Sequence, residues 1–349
     1  MASWERKTST RRPFQLSWHH PLNSDPLAQN LAQPRELPLR ARIVPPLPSA
    51  MFVTRSPQAT PVSALPWHDA RVTAPSVSTT DLDSLPPVWD ALRHRYGELE
   101  IAEERYRTDP TLLSQRRLDE SQVAGPRTYM TAAGLLVAAQ DNQAVLEKVV
   151  HQIGITSHAP WNLIRPAFET AFHALWILDP IEGLARRRRG LRIELADHRE
   201  RRNWVQAIQA TGLTTPEMDD RLAARNDEVL ATYSKEAEYF GSKIRDLNRL
   251  PNLVEEIPRL RTLARLDAGI RYSLVATWRQ LSGLQHGHTY ALMGVSDKSH
   301  LVKIPGGVQM TVTANDHVFV TAAKSAAMIQ LHALRRLIDL TTLPPHSNH

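Results

Sequence analysis

Residues 160–180 read PWNLIRPAFETAFHALWILDP, and the spacing of their apolar side chains decides the fold class. Trp161, Ile164, Phe168, Phe172, Leu175 and Leu178 recur at three- and four-residue intervals, the pattern of a helix that lays an apolar stripe on a core. Arg165, Glu169 and His173 run beside that stripe at spacing four and so share an adjoining face. One reading makes them an ion ladder on the helix surface. The other has Glu169, supported by His173, gripping an arginine of a neighbouring helix. Di-iron bundles need Glu-x-x-His, and the Glu169-to-His173 interval does not fit it.

The helical pattern extends in both directions. Ser84, Pro86 and Pro87 announce a helix that runs to Asp109-Pro110, because proline is tolerated in a first turn whose N–H groups have no partner. Further helices are expected near 111–122, over 127–153, after Ile181, over about 215–244, 253–266 and 268–286, and from 315 to 341. Only HLVKIPGGVQMTVTA, residues 300–314, alternates at period two across a Pro-Gly-Gly turn, which predicts a β-hairpin. The expected fold is an all-α helical bundle over 84–343 with one small hairpin before the C-terminal helix.

Residues 1–80 read differently. They hold 12 of the 25 prolines and nine Lys/Arg against four Asp/Glu, which is nearly all of the chain's net charge of +6. They are expected to form a disordered, basic, proline-rich arm, and the body is close to neutral, so the high pI does not make the whole chain a nucleic-acid binder. The absence of cysteine excludes disulfides, thiolate zinc sites and a Cys nucleophile. It fits a reducing, cytoplasmic setting, and neither a secretory signal nor a membrane span is expected.

Chemistry is most concentrated in WRQLSGLQHGHTY, residues 278–290. At 100° per residue, Ile270, Leu274, Thr277, Leu281 and Leu284 fall within about 80° of one another as a core stripe. Arg279, Ser282 and His286 form a polar column nearly opposite, with Val275 in the same sector. Gly287 is placed to stop the helix, which sends His288 in another direction and argues against a two-histidine metal site on one helical face. No metal ligand set and no cofactor motif is recognised: the Walker loop, the dinucleotide glycine fingerprint, His-Glu-x-x-His and the calcium loop are all missing.

The Arg279-x6-His286 spacing on one helix of a bundle resembles the HEPN superfamily (higher eukaryotes and prokaryotes nucleotide-binding), over about residues 126–341. Gln280 stands where that family often has Asn, Asp or His. PAFETAFHALWILDP followed by an Arg-rich helix also looks like helical bacterial proteins related to that group. The resemblance implies an RNA-binding protein or metal-independent endoribonuclease of bacterial defence or a toxin system, active as a homodimer that brings two Arg and two His to one cleft. In that role His286 would move a proton at the 2′-hydroxyl or the leaving oxygen, and Arg279 would grip the phosphate. Ser282, with no Gly-x-Ser-x-Gly elbow around it, would hydrogen-bond a phosphate oxygen or orient His286.

Arg186, Arg187, Arg188 and Arg189, with Arg192, form the strongest basic run of the body. It reads either as a solvated helix paired with nearby carboxylates or as a rim that tracks RNA phosphates. The alternative to an RNA effector is a non-enzymatic helical module whose arm, through PPLP at 45–48, docks on a protein partner.

Overall fold

The computed structural model describes residues 81–156, 158–304 and 307–344, with side-chain surroundings left undescribed at 300–310. The elements run α1 (Pro86–Thr108), α2 (Gln115–Glu120), α3 (Gly125–Gln152), α4 (Trp161–Leu178), α5 (Gly183–Gln209) and α6 (Pro216–Tyr239). Two single turns follow, α7 (Ile244–Leu247) and α8 (Leu253–Glu256). Then come α9 (Ala268–Gln285), α10 (Thr289–Gly294), the strands β1 (Ser296–Ile304) and β2 (Gly307–Ala314), and α11 (Asp316–Thr342). The architecture is all-α with one small hairpin before the last helix. The expected arm, PPLP included, lies outside the described residues.

Helix α4 is the centre of the bundle. Its stripe is buried throughout, and so are Ala167, Ala171, Ala174, Trp176 and Ile177 on its other sides. From Ala171 to Leu178 the helix is buried on every side, which needs wrapping, and α3, α5, α9 and α11 supply it. On α11 the buried Ala322, Ala323, Ala326 and Ala327 alternate with Phe319, Ile329 and Leu334, so a small-residue face lets that helix pack closely. Each large side chain sealed in this way contributes about 1.5–3 kcal/mol of transfer free energy. A buried polar link ties three helices: Tyr96 Oη donates to the Leu136 carbonyl at 2.7 Å and accepts from Gln330 Nε2 at 2.6 Å. A second, smaller apolar cluster of Leu191, Leu195, Ala237, Phe240 and Leu247 seats α6 and α7 on α5.

Three local expectations are corrected. The helix expected over 253–266 is a turn of α-helix followed by 3-10 turns at Ile257–Arg259 and Arg261–Leu263, with Leu260 extended between them. Pro258 lacks an amide to donate, and the amides of Arg261 and Thr262 donate to the Asp179 carboxylate at 3.0 and 2.7 Å instead of to carbonyls one turn back. The helix expected to reach 244 ends at Tyr239, where Gly241 turns the chain at φ +63. The hairpin begins four residues earlier than the alternation suggested, with Ser296 paired to Ala314 and an irregularity between Ser299 and Val302. Among the described residues no helix is long and apolar enough to cross a membrane.

Candidate functional site

Asp267 opens α9 by accepting the Gly269 amide at 2.6 Å, and the helix then buries Leu274, Thr277, Leu281 and Leu284 against the core. Ile270, expected in that stripe, is 40% exposed because it lies in the first turn, ahead of the packed part of the helix. The other face is half-covered: Val275 is buried and Trp278 packs on the core from the edge. The helix closes as expected at Gly287, φ +68, with the Gly287 amide donating to the Leu284 carbonyl at 3.0 Å and the His288 amide to the Gly283 carbonyl at 2.9 Å. These two bonds are the paired closure of a Schellman motif.

Arg279 and His286 are both exposed at this end of α9, and Ser282 between them is half-buried. Among the described residues neither Arg279 nor His286 has a side-chain hydrogen bond or a carboxylate within ion-pair distance. Two turns of helix separate their backbones by about 10 Å, a gap that the long arginine side chain partly spans.

The flanking residues are arranged by a glycine. A Cβ on Gly283 would stand 2.8 Å from Ala291 Cβ and 2.9 Å from Tyr290 Oη, so α10 folds back onto α9 only because that position has no side chain. Gly283 lies about 40° from Arg279 and 60° from His286 around the helix, which puts Tyr290 along the border of the polar column. Tyr290 is 69% exposed and stacks on the exposed His288, with ring centroids 5.6 Å apart and planes 20° from parallel. His288 and His286 rings are 6.0 Å apart. The sequence reading missed Tyr290 and the partnership of His288. Its one signal was a glycine a turn before the helix end, followed by aromatic residues just past the cap.

Gly283→Ala is expected to cost about 1–3 kcal/mol by overpacking α10. Gly97→Ala, at a mid-helix position where an added Cβ meets nothing within 4 Å, is expected to stabilise by about 0.5–1 kcal/mol. Urea denaturation of the two variants checks the close approach: equal and small effects would show that α10 does not rest on Gly283.

The supporting residues do not converge on Arg279. Glu169 stands 3.4 Å from Arg165 on its own helix, and Arg165 in turn donates to Gln285 Oε1, so the ladder reading describes this pair. His173 is buried, its Nε2 has no partner among the described residues, and burial pushes its pKa down to about 4. It is a neutral core group at physiological pH.

Most of the arginine run is likewise turned inward, contrary to a phosphate-tracking rim. Arg186 is sealed, with Nε donating to Asp119 Oδ2 at 2.7 Å and Nη1 to the Pro180 carbonyl at 2.8 Å. Arg187 is buried and donates to the Val123 carbonyl at 3.0 Å. Arg189 donates to the Trp176 carbonyl at 2.6 Å, Arg192 to that of Arg249, and both guanidinium groups lie over the Trp176 ring at 4.7 and 4.9 Å. Four consecutive helical positions point all round the axis, so a helix packed on several sides must take some of them inside. Arg188 alone of the five is exposed with no partner among the described residues.

No family model, no curated protein and no solved structure matches the chain. Among the described residues no group of three or more His, Asp or Glu side chains is placed to share a metal ion.

Proposed function

We propose that this protein is an RNA-binding effector of the HEPN type that cuts RNA without a metal, with Arg279 and His286 as the reacting pair. One observation carries the reading: guanidinium and imidazole project from one helix end into solvent, uncommitted to any carboxylate among the described residues and bordered by an exposed aromatic stack. A stacked His288–Tyr290 platform suits unpaired bases, each stacked base being worth about 1–3 kcal/mol. The column lies on an open helix face, and three cavities elsewhere in the bundle are lined by other residues. A second copy facing the first would supply the walls of a cleft and the second Arg and His. Within it one imidazole takes the 2′-hydroxyl proton, the 2′-oxygen attacks phosphorus, and the partner's imidazole protonates the departing 5′-oxygen. The products are a 2′,3′-cyclic phosphate and a free 5′-hydroxyl, with the guanidinium forks holding the equatorial oxygens.

The test is cleavage of a fluorescent single-stranded RNA by the full chain in EDTA. Arg279→Ala and His286→Ala are each expected to lower the rate by about 100-fold or more, with helicity and assembly state unchanged, and DNA of the same sequence should remain intact. Cutting that survives both changes, or that requires added metal, removes the proposal.

A further inference from the structure

A second cluster of unspent positive charge lies in a crevice of about 360 Å³ between α11 and the 3-10 turns at 257–263. Arg335 and Arg336 line it from α11, Arg261 and Arg265 from the facing turns. Arg336 is fixed in place, with Nε donating to the Leu178 carbonyl at 2.9 Å and Nη2 to the Pro180 carbonyl at 3.0 Å at the negative end of α4. Its Nη1 has no hydrogen bond among the described residues, and Arg261, Arg265 and Arg335 are exposed and make no ion pair among them.

Two carboxylates share the crevice with the four arginines. Asp179 is consumed by the opposite wall: Oδ1 accepts the Thr262 amide at 2.7 Å and the Thr262 hydroxyl at 2.6 Å, and Oδ2 accepts the Arg261 amide at 3.0 Å. Burial pushes the Asp339 carboxyl above its usual range, against the pull of Arg335 and Arg336. His332, also in the wall, is held below its usual pKa by burial and by Arg335, and Arg336 is lowered by burial and by the sealed Arg186 behind it. Four guanidinium groups in this partly buried crevice exceed the two carboxylates beside them, and an anion would balance the excess.

We infer that this crevice is a binding site for a small phosphorylated ligand, with Arg261, Arg265, Arg335 and the free edge of Arg336 as its phosphate grip. Its volume falls in the range of small-molecule sites. Four guanidinium forks offer more donors than the two oxygens of a carboxylate can accept, whereas a phosphomonoester or diphosphate supplies three or more terminal oxygens and at least two charges. The site is separate from the Arg279 column. Gln285 at the end of α9 meets Arg165 near the start of α4, and Asp179 follows the other end, about 20 Å away along the helix.

The probe is inorganic pyrophosphate titrated into the full chain at constant ionic strength, read by thermal shift and by calorimetry. A saturable rise in Tm is expected, with binding weakened at least 10-fold in Arg265→Gln and Arg335→Gln, whose exposed side chains make no ion pair whose loss would unfold the chain. Arg225→Gln, exposed on α6 and outside the crevice lining, should leave binding unchanged. No saturable binding at millimolar pyrophosphate, a shift that follows ionic strength alone, or equal affinity in all three variants overturns the inference. Binding of 5′-phosphorylated RNA at this crevice without binding of pyrophosphate would also overturn it, by assigning the arginines to a polymer. Arg279→Ala should not alter pyrophosphate affinity, so the result stands or falls apart from RNA cleavage.

Discussion

Asp119→Ala is expected to lower the unfolding free energy by about 3–5 kcal/mol. Asp119 is 3% exposed and Arg186 0%. One carboxylate oxygen takes Arg186 Nε at 2.7 Å and Tyr129 Oη at 2.7 Å, with Arg186 Nη2 2.6 Å away, and the other takes Gln115 Nε2 at 2.9 Å. Burial and the neighbouring carboxylate push the Tyr129 hydroxyl far above its usual range, so it stays protonated as a donor. The group pins α2, α3 and α5 together, and the packing is close: a Cβ on Gly183 would fall 2.1 Å from Asp119 Oδ1. Truncating Asp119 strands a guanidinium that water cannot reach, and the cost is that of an unpaired buried charge rather than of one lost bond. The double change Asp119→Leu with Arg186→Met removes both charges and should recover most of the loss. Urea denaturation followed by circular dichroism decides it. A cost near that of the exposed Arg225–Glu228 pair, about 0–1 kcal/mol, would show that Asp119 and Arg186 are not a sealed pair.

That pair also marks where reading the chain by periodicity stops. Helices α1, α4 and α11 were legible because apolar spacing and proline or glycine punctuation are local signals: Pro86 starts α1, and Gly287 closes α9. An arginine's burial is decided by its partner, and Asp119 sits 67 residues before Arg186 on a helix of six residues. Nothing in ARRRR distinguishes the inward arginines from the outward one. The same holds for 253–266, where a helical pattern yields to a carboxylate more than 80 residues away that captures two amides. For the candidate site, the sequence placed Arg279, Ser282 and His286 on one face from angle alone. Whether that face meets solvent depends on where α9 docks on α4. The aromatic border depends on α10 folding back over Gly283, a contact between elements that no window of sequence contains.

Acidification is expected to remove about 3 kcal/mol of stability between pH 6.5 and 4 through His173 alone. Burial holds this imidazole at about 4, against an ordinary 6.5, and the Phe172 ring lies 5.4 Å from it. Below pH 6.5 the unfolded chain binds a proton that the folded chain refuses, so the contribution is complete above 6.5 and is lost as pH falls through 4. A shift of this size at about 1.4 kcal/mol per unit gives the stated loss. His332 and His198, lowered less, act with the same sign. Glu194 and Asp339, whose carboxyls burial raises, act against it, because the folded state binds their protons first as pH falls. His173→Leu removes the titrating group together with a buried nitrogen that has no partner among the described residues, so it should be nearly neutral at pH 7.5 and flatten the fall in stability at pH 5. Urea midpoints measured from pH 7.5 to 4.5 in both proteins give the difference directly, and parallel curves would show that His173 is solvated.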